Sequence, residues 1–163
     1  MSNGQNILVI GLGNPDCADD GIGPRVAHRL AGDDLGGARV IARGGDALAL
    51  IEDWAGSDTV VLIDAAAVIS RAGRIHRIDL ATDELPCNLS LSSTHAFGMA
   101  DAIGLARTLD MLPVHVIIYA VEGVCFDPGA AMSAEVAAAV DEVAERVVGE
   151  LQFLRAFGAS DHA

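Results

Sequence analysis

The sequence predicts an α/β fold, a single-domain three-layer sandwich in which a mostly parallel five-stranded sheet carries helices on both faces. Short apolar runs, typical of strands buried on both sides, alternate along the chain with segments whose apolar residues recur every three or four positions. The composition agrees, because 52% of the residues are hydrophobic and only 4% are aromatic, as in aliphatic layered cores. The 163 residues suit one domain, and no internal repeat or linker divides them.

The first half of the chain is expected to contain three strands and two helices. Pro24 is compatible with the first helix, because the first helical turn has no N–H bonds to lose. The third strand is expected to end on a charged residue, Asp64. In order, the predicted elements are a strand at 7–10 that stops at Gly11, a helix from about Ile22 through Val26 and Leu30, a short strand at 38–42, a helix through Leu48, Ile51 and Trp54 after the turn Gly44-Gly45, and a strand at 60–63.

The second half is expected to add two strands and two helices. RIHRIDL at 74–80 alternates polar and apolar residues, which predicts a strand near an edge of the sheet. The domain is expected to end near residue 155, with 156–163 as a disordered tail. The other predicted elements are a loop at 82–91, a helix capped by the hydroxyls of SSTH at 92–95 and running to about Leu109, a strand at 114–121, and a final helix with an apolar stripe through Val136, Val140, Val143, Val147, Leu151 and Leu154.

The loop after the first strand, GLGNPDCADDGIG at 11–23, is both glycine-rich and acidic. Glycine-rich turns between a strand and a helix usually hold phosphate, using backbone N–H groups and the positive end of the helix. Here Asp16, Asp19 and Asp20 would repel a phosphate. Asp16 also occupies the position of the third glycine in the dinucleotide-binding pattern GxGxxG. The loop therefore argues against a nucleotide site.

Charge and cysteine content exclude further classes of partner and site. The formal net charge is −13, from ten Lys and Arg residues against 23 acidic ones, so neither nucleic acid nor an anionic membrane is an expected partner. The segment MSNGQN has no basic stretch, and the apolar run after it is too short for a signal core or a membrane span. Cys17, Cys87 and Cys125 form no CxxC pair. We expect reduced thiols, a cytoplasmic location and a monomer.

Acidic and imidazole side chains are expected at the carboxyl ends of the strands, where parallel sheets place their sites. They belong to Asp19, Asp20, Asp64, Glu122 and His95. The Asp19-Asp20 pair has two open interpretations, either helix capping or a functional site. Asp64 follows four buried aliphatic residues, which favours a crevice over bulk water. His95 is either a satisfied histidine at a helix start or an imidazole that the helix end keeps neutral and able to bind metal.

Two carboxylates and one imidazole are a ligand set suited to nickel, zinc or cadmium. A nucleophile is not indicated, because the sequence has no GxSxG motif and no histidine lies near Cys17 in sequence to activate it. HExxH, the motif of a permanent zinc site, is also absent from the sequence. The remaining histidines are expected to be structural or solvated, and they are His28, His76, His115 and His162.

Three blocks of sequence resemble the nickel–iron hydrogenase maturation endopeptidases. ILVIGLGNPDCADDGIGPRV is similar to the opening of that family, a glycine–asparagine loop followed by an acidic pair, a small residue and I/V-G. VVLIDAA resembles the second block, with an aspartate at a strand end, and STHAFGMADAIGLA resembles the third, a histidine followed by a G-x-A-D helix. The blocks occur in the family's order and cover nearly the whole chain.

The resemblance implies a function and residues that perform it. Family members are aspartic-type endopeptidases that clip a short C-terminal extension from the hydrogenase large-subunit precursor once nickel is inserted. Their catalytic and metal-binding positions fall on Asp20, Asp64 and His95. Because the nickel is carried by the substrate, the isolated protein need not hold a metal. Zinc or cadmium is expected to replace nickel in vitro. An acidic loop is then explained, because it faces a cation.

The chain departs from the family pattern at two places. The second glycine turn, D-G-G-T in the family, has Arg43 in place of the aspartate and Asp46 in place of the threonine, and Glu122 is followed by Gly123 where proline is common. These changes keep open a peptidase that matures another metalloprotein. A nickel-binding checkpoint without peptidase activity is a further alternative. Whether a carboxylate or the metal activates the attacking water is also open.

Overall fold

Strands and helices alternate along the described part of the computed structural model, residues 4–44, 46–91 and 98–158, and build one five-stranded sheet with helices on both faces. The predicted fold class is confirmed. In chain order the elements are β1 Ile7–Leu12, a 3-10 helix Ala18–Gly21, α1 Ile22–Leu30, β2 Arg39–Arg43, α2 Ala47–Trp54, β3 Thr59–Ala67, β4 Ile75–Asp79, α3 Met99–Thr108, β5 His115–Gly123 and α4 Ala134–Gly158.

The described strands lie in the order β2-β1-β3-β5-β4. β1 pairs in parallel with β2 and β3, β3 pairs in parallel with β5, and β4 runs antiparallel to β5. β4 is therefore an edge strand, as the alternating residues 74–80 predicted. From β1 the chain moves outwards to β2 and crosses back to β3. It then forms β4 at the opposite edge and returns to place β5 between β3 and β4. The strand order thus reverses between β1 and β3, the place where open α/β sheets usually bind ligands.

Two apolar layers hold the helices to the sheet, because neighbouring residues of a strand face opposite sides. In β3, Val61 packs in the layer that contains α1 and α4, whereas Leu62 packs in the layer that contains α2 and α3. The apolar spacing predicted α2 correctly, and Leu50 and Trp54 are buried on its inner side. Leu48, which the same spacing included, is 62% exposed.

β1 and β3 separate from each other at the reversal point. Their pairing ends at Gly11 and Ile63, whereas β3 remains paired with β5 as far as Ala67. Asp64 is thus the first residue of β3 without a partner in β1. The start of α1 lies against this gap, where a Cβ on Gly23 would come within 2.7 Å of the carbonyl oxygen of Ile63. Only glycine allows so close an approach of helix and strands.

Several predicted element boundaries are wrong, and the first strand, predicted to stop at Gly11, continues to Leu12. The strand predicted at 60–63 continues past Asp64 to Ala67, because its small residues remain paired with β5. α3 begins at Met99, and its first turn is closed by the Gly98 N–H donating to the Asp101 carboxylate, whereas the predicted caps at 92–95 lie outside the described residues. α4 continues to Gly158, past the predicted boundary at 155. Residues 92–97, which include His95, and 159–163, which include His162, lie outside the described residues.

A membrane-spanning helix is not found among the described residues, since none of their helices is long and apolar enough to cross a bilayer.

Candidate functional site

Asp20 is held at the reversal point by the loop that leaves β1. Its side chain is buried, and its Oδ2 accepts the backbone N–H of Asn14 at 2.8 Å. The loop can close this tightly because Gly13 adopts a φ of +132°, and a Cβ at that position would collide with the carbonyl oxygen of Asp20. Asn14 stabilises the same turn through Oδ1, which accepts the N–H of Asp16 at 2.9 Å. The glycines of this loop therefore position a carboxylate and not a phosphate.

Asp64 is the second carboxylate at this point. It is only 3% exposed, and its Oδ1 accepts the backbone N–H of Ala65 at 2.8 Å. Burial raises the pKa of Asp64 well above its usual value, and the negative charge of Asp20 raises it further, although the hydrogen bond from Ala65 lowers it. The two carboxylates are thus close enough to repel one another in a poorly solvated place. Such a pair is stabilised when a cation binds between its members.

The third predicted ligand, His95, lies outside the described residues. Among the residues that the structure describes, no group of three or more His, Cys, Asp or Glu side chains is arranged to hold a metal ion. Asp64 shares its face of the sheet with Leu62 and Ala66, which pack against the layer of α2 and α3. His95 precedes α3 in sequence. Its assignment stays a prediction.

Asp19, the neighbour of Asp20, has a different role. It is fully buried and accepts hydrogen bonds from the N–H and Oγ of Ser133 and from the N–H groups of Val124 and Cys125. Burial raises the pKa of Asp19, but these hydrogen bonds outweigh it and leave the pKa below its usual value. Asp19 therefore ties the end of β5 to the start of α4. Each of the two interpretations of the acidic pair therefore applies to one residue. Asp19 is structural, whereas Asp20 lies at the candidate site.

Glu122 is also structural, although the sequence placed it among the strand-end residues. Its buried carboxylate accepts the N–H groups of Ile69 and Ser70 and the Oγ–H of Ser70. Burial raises its pKa, yet the hydrogen bonds from Ser70 and Ile69 prevail and bring it to about 2. His76 lies beside it, with Nε2 3.7 Å from the carboxylate. Glu122 thus anchors the loop that follows β3.

Replacing Glu122 with glutamine is expected to lower the free energy of unfolding at pH 7 by about 2–3 kcal/mol, because an amide cannot accept from all of these donors. The carboxylate stabilises the fold fully above its unfolded pKa of about 4.5, and this contribution is lost as the pH falls towards its folded pKa of about 2. Urea unfolding at several pH values measures the effect. A deficit that stays constant from pH 7 to pH 2 would contradict this account.

The structure also places Cys17 and two of the remaining histidines. Cys17 is a buried free cysteine, whereas reactive cysteines are usually partly exposed. His28 is exposed on α1, and His115 is half-buried at the start of β5.

Residues 24–150 match the family model HycI, described as hydrogenase maturation protease. The chain belongs to the hydrogenase maturation protease family. It is similar to the hydrogenase expression/formation protein HupD from Thiocapsa roseopersicina, with 28% identity over 131 residues. That alignment covers 78% of this chain but only 58% of HupD, so the chain spans less than two thirds of this relative.

Solved structures of hydrogenase maturation proteases share the fold. The hydrogenase maturating endopeptidase HybD from E. coli is 23% identical, with a TM-score of 0.73 over 91% of this chain and 93% of its own. The [NiFe] hydrogenase maturation protease HybD from Thermococcus kodakarensis is 24% identical, with a TM-score of 0.71 over 88% and 97%. The predicted family is confirmed, and the predicted enzyme class, a hydrolase that acts on peptide bonds, is that of the family.

Two residues that flank the second glycine turn, Arg43 and Asp46, have roles that the sequence did not reveal. Arg43 forms a two-pronged ion pair with Asp53 of α2, with Nε–Oδ2 at 2.7 Å and Nη2–Oδ1 at 3.1 Å. Asp46 caps α2 by accepting the N–H of Leu48 at 3.0 Å. Both residues that depart from the D-G-G-T pattern therefore fix the turn to α2. In the sequence, the only sign of this ion pair was an arginine ten residues before an aspartate. The two side chains meet because the folded chain brings α2 beside the end of β2.

Proposed function

We propose that this chain is an endopeptidase that removes a short C-terminal extension from a nickel-loaded hydrogenase large-subunit precursor in the cytoplasm. Asp20, Asp64 and His95 recognise the nickel that the substrate carries. The observation that supports this most strongly is the buried carboxylate pair at the reversal point between β1 and β3. Membership of the hydrogenase maturation protease family points to the same substrate.

The chemistry of the pair favours a cation that arrives and leaves. Asp20 and Asp64 are nearly inaccessible to water, and the charge of Asp20 disfavours ionisation of Asp64. Oxygen ligands alone suit hard cations such as Mg²⁺ and Ca²⁺, whereas an imidazole shifts the preference towards nickel, zinc or cadmium. The proposed selectivity for nickel therefore depends on His95. Two carboxylates and one imidazole leave coordination positions open, which suits recognition of an ion that belongs to the substrate.

Cleavage is assigned to direct attack of water on the scissile carbonyl carbon. The substrate's nickel, when bound, supplies a Lewis acid beside the carboxylates. Asp20 and Asp64 orient the nickel-bearing segment, which places the adjoining peptide bond at the open end of the gap between β1 and β3. A carboxylate at this place also serves to accept the proton of the attacking water, and the amine of the released extension takes up a proton as the C–N bond breaks.

The direct test compares nickel-loaded and nickel-free precursor. Each is incubated with the full chain, and the masses of the products are measured. We expect loss of the extension from the nickel-loaded precursor only. Binding of the loaded precursor without any change in mass would replace the peptidase by a non-enzymatic checkpoint, and cleavage of both forms alike would contradict recognition of the metal.

Replacing His95 with alanine is expected to weaken nickel binding and precursor processing, each by about 10- to 100-fold, because the soft ligand is lost. His115→Ala is the matched control, since His115 lies at the start of β5 and thus at the opposite end of the sheet. Calorimetric titration with nickel and a cleavage assay measure the two effects. If His95→Ala retains both parental values, then the proposed nickel site does not include this histidine.

A further inference from the structure

Two adjoining grooves follow the outer side of the loop that holds Asp20. The larger, of about 490 Å³, lies between this loop, the first turns of α1 and the segment 130–132 that precedes α4. The smaller, of about 320 Å³, runs from the same loop to the second glycine turn. Pro15 and Pro24 line both grooves. The two grooves therefore adjoin at these prolines, and together they are called the depression.

Basic side chains line this depression, although the protein as a whole is acidic. Its charged or imidazole lining comes from Arg25 and His28 in the larger groove and Arg43 in the smaller. No Asp or Glu is found among the described residues that line either groove, although the chain carries a net charge of −13. Arg25 and His28 are exposed and three residues apart on α1, so their side chains share one face of the helix. Arg25 is thus exposed in a groove whose described lining carries no carboxylate, whereas Arg43 in the smaller groove is already paired with Asp53.

The shape of the larger groove indicates an extended polypeptide. Small side chains line much of it, including Ala18, Gly21 and Ala130, and Met132 is the one long apolar side chain among the lining residues described. Such walls leave room for a main chain with side chains pointing to either side. A small multivalent anion is a poorer fit, because only two basic side chains of the larger groove could contact it.

We propose that this depression, defined by Pro15, Pro24, Arg25, His28 and Arg43, docks an acidic, extended segment of the substrate protein. The inference rests on the proposed peptidase function, because it names a second contact of the same substrate. Asn14 lines the smaller groove, and its N–H holds the Asp20 carboxylate. A segment seated in the depression therefore lies directly beside the loop that positions the candidate site, and it raises the local concentration of the nickel-bearing segment there.

A binding assay tests the docking apart from cleavage. The probe is a fluorescein-labelled peptide of alternating glutamate and serine, compared with a lysine–serine peptide and a single-stranded oligonucleotide. We expect fluorescence anisotropy to show binding of the acidic peptide alone, weakened about 10-fold by Arg25→Glu and further by adding His28→Glu. Ala131→Trp, which fills the larger groove from its exposed wall, is expected to act likewise. Arg39→Glu, an equal charge reversal on the edge strand β2, is expected to bind as the parent does.

Precursor processing supplies the second measurement. Arg25→Glu is expected to raise KM about 10-fold with kcat unchanged, because the groove contributes binding and not chemistry. No binding of the acidic peptide, or equal weakening by Arg25→Glu and Arg39→Glu, would overturn the docking surface, as would oligonucleotide binding that Arg25→Glu abolishes. If the parent binds the acidic peptide but cleaves no precursor, then the proposed peptidase function fails and the groove stands. An unchanged KM in Arg25→Glu would contradict its use by the substrate.

Discussion

Asp64→Asn is expected to reduce processing of nickel-loaded precursor by about 100-fold or more while making the fold more stable. The amide keeps the size of the side chain and can still accept the N–H of Ala65, but it brings no negative charge to the metal. Loss of one charged ligand from a set of three removes both affinity and orientation. A side chain that served only the fold would show the opposite result, normal processing with lower stability.

The gain in stability has a defined pH dependence. The folded pKa of Asp64 is raised, so this group favours folding only while it is protonated, below its usual value of 3.8, and that contribution is lost as the pH rises through the folded pKa. The advantage of asparagine is therefore small at acid pH and grows above pH 3.8. At pH 7 we therefore expect the variant to unfold at a higher urea concentration than the parent.

Urea unfolding of parent and variant across pH, combined with mass analysis of the processed precursor, measures both effects. Asp141→Asn is a matched control, because Asp141 lies on α4 with a side chain that is 79% exposed. Parental processing by Asp64→Asn would remove this residue from the proposed site. If the stability difference between Asp64→Asn and the parent shrinks as the pH rises, then burial of the Asp64 carboxylate is not the main cause of its raised pKa.

The adjacent aspartates of the loop are expected to give opposite results. Asp19→Asn lowers the free energy of unfolding by about 2–4 kcal/mol, because the amide nitrogen would face backbone N–H donors of Val124, Cys125 or Ser133. Asp20→Asn changes stability by no more than about 1 kcal/mol, since the amide oxygen can still accept the N–H of Asn14. It is expected to lose about 100-fold in processing, for the reason given for Asp64.

Each variant serves as the control of the other, since the substitutions are identical and one residue apart. The pKa of Asp19 is lowered, so its stabilisation is present above its usual value of 3.8 and is lost as the pH falls through the folded pKa. The deficit of Asp19→Asn is therefore expected to vanish in acid. Under conditions in which Asp19→Asn remains folded, we expect it to process the precursor near the parental rate, unlike Asp20→Asn. Equal losses of stability in both variants would refute the division of roles.

The sequence by itself determined the fold class, the order of the elements and the family. Apolar periodicity is a local property, so the strand at 60–63 and the helix from Ile22 could be predicted without any knowledge of their partners. The three motif blocks likewise named Asp20, Asp64 and His95 as the candidate residues. The predicted start of α3 differed, because apolar spacing does not reveal the contact between Gly98 and Asp101 that closes its first turn.

Only the tertiary structure decided which acidic residues are structural. Asp19 and Asp20 are equivalent by spacing, yet Asp19 meets Ser133, a residue 114 positions away, while Asp20 turns back to Asn14. Glu122 meets the loop at 69–71 in the same manner. The physical reason is that a buried carboxylate takes its role from the donors that surround it. Those donors come from strands and loops that become neighbours only when the sheet forms.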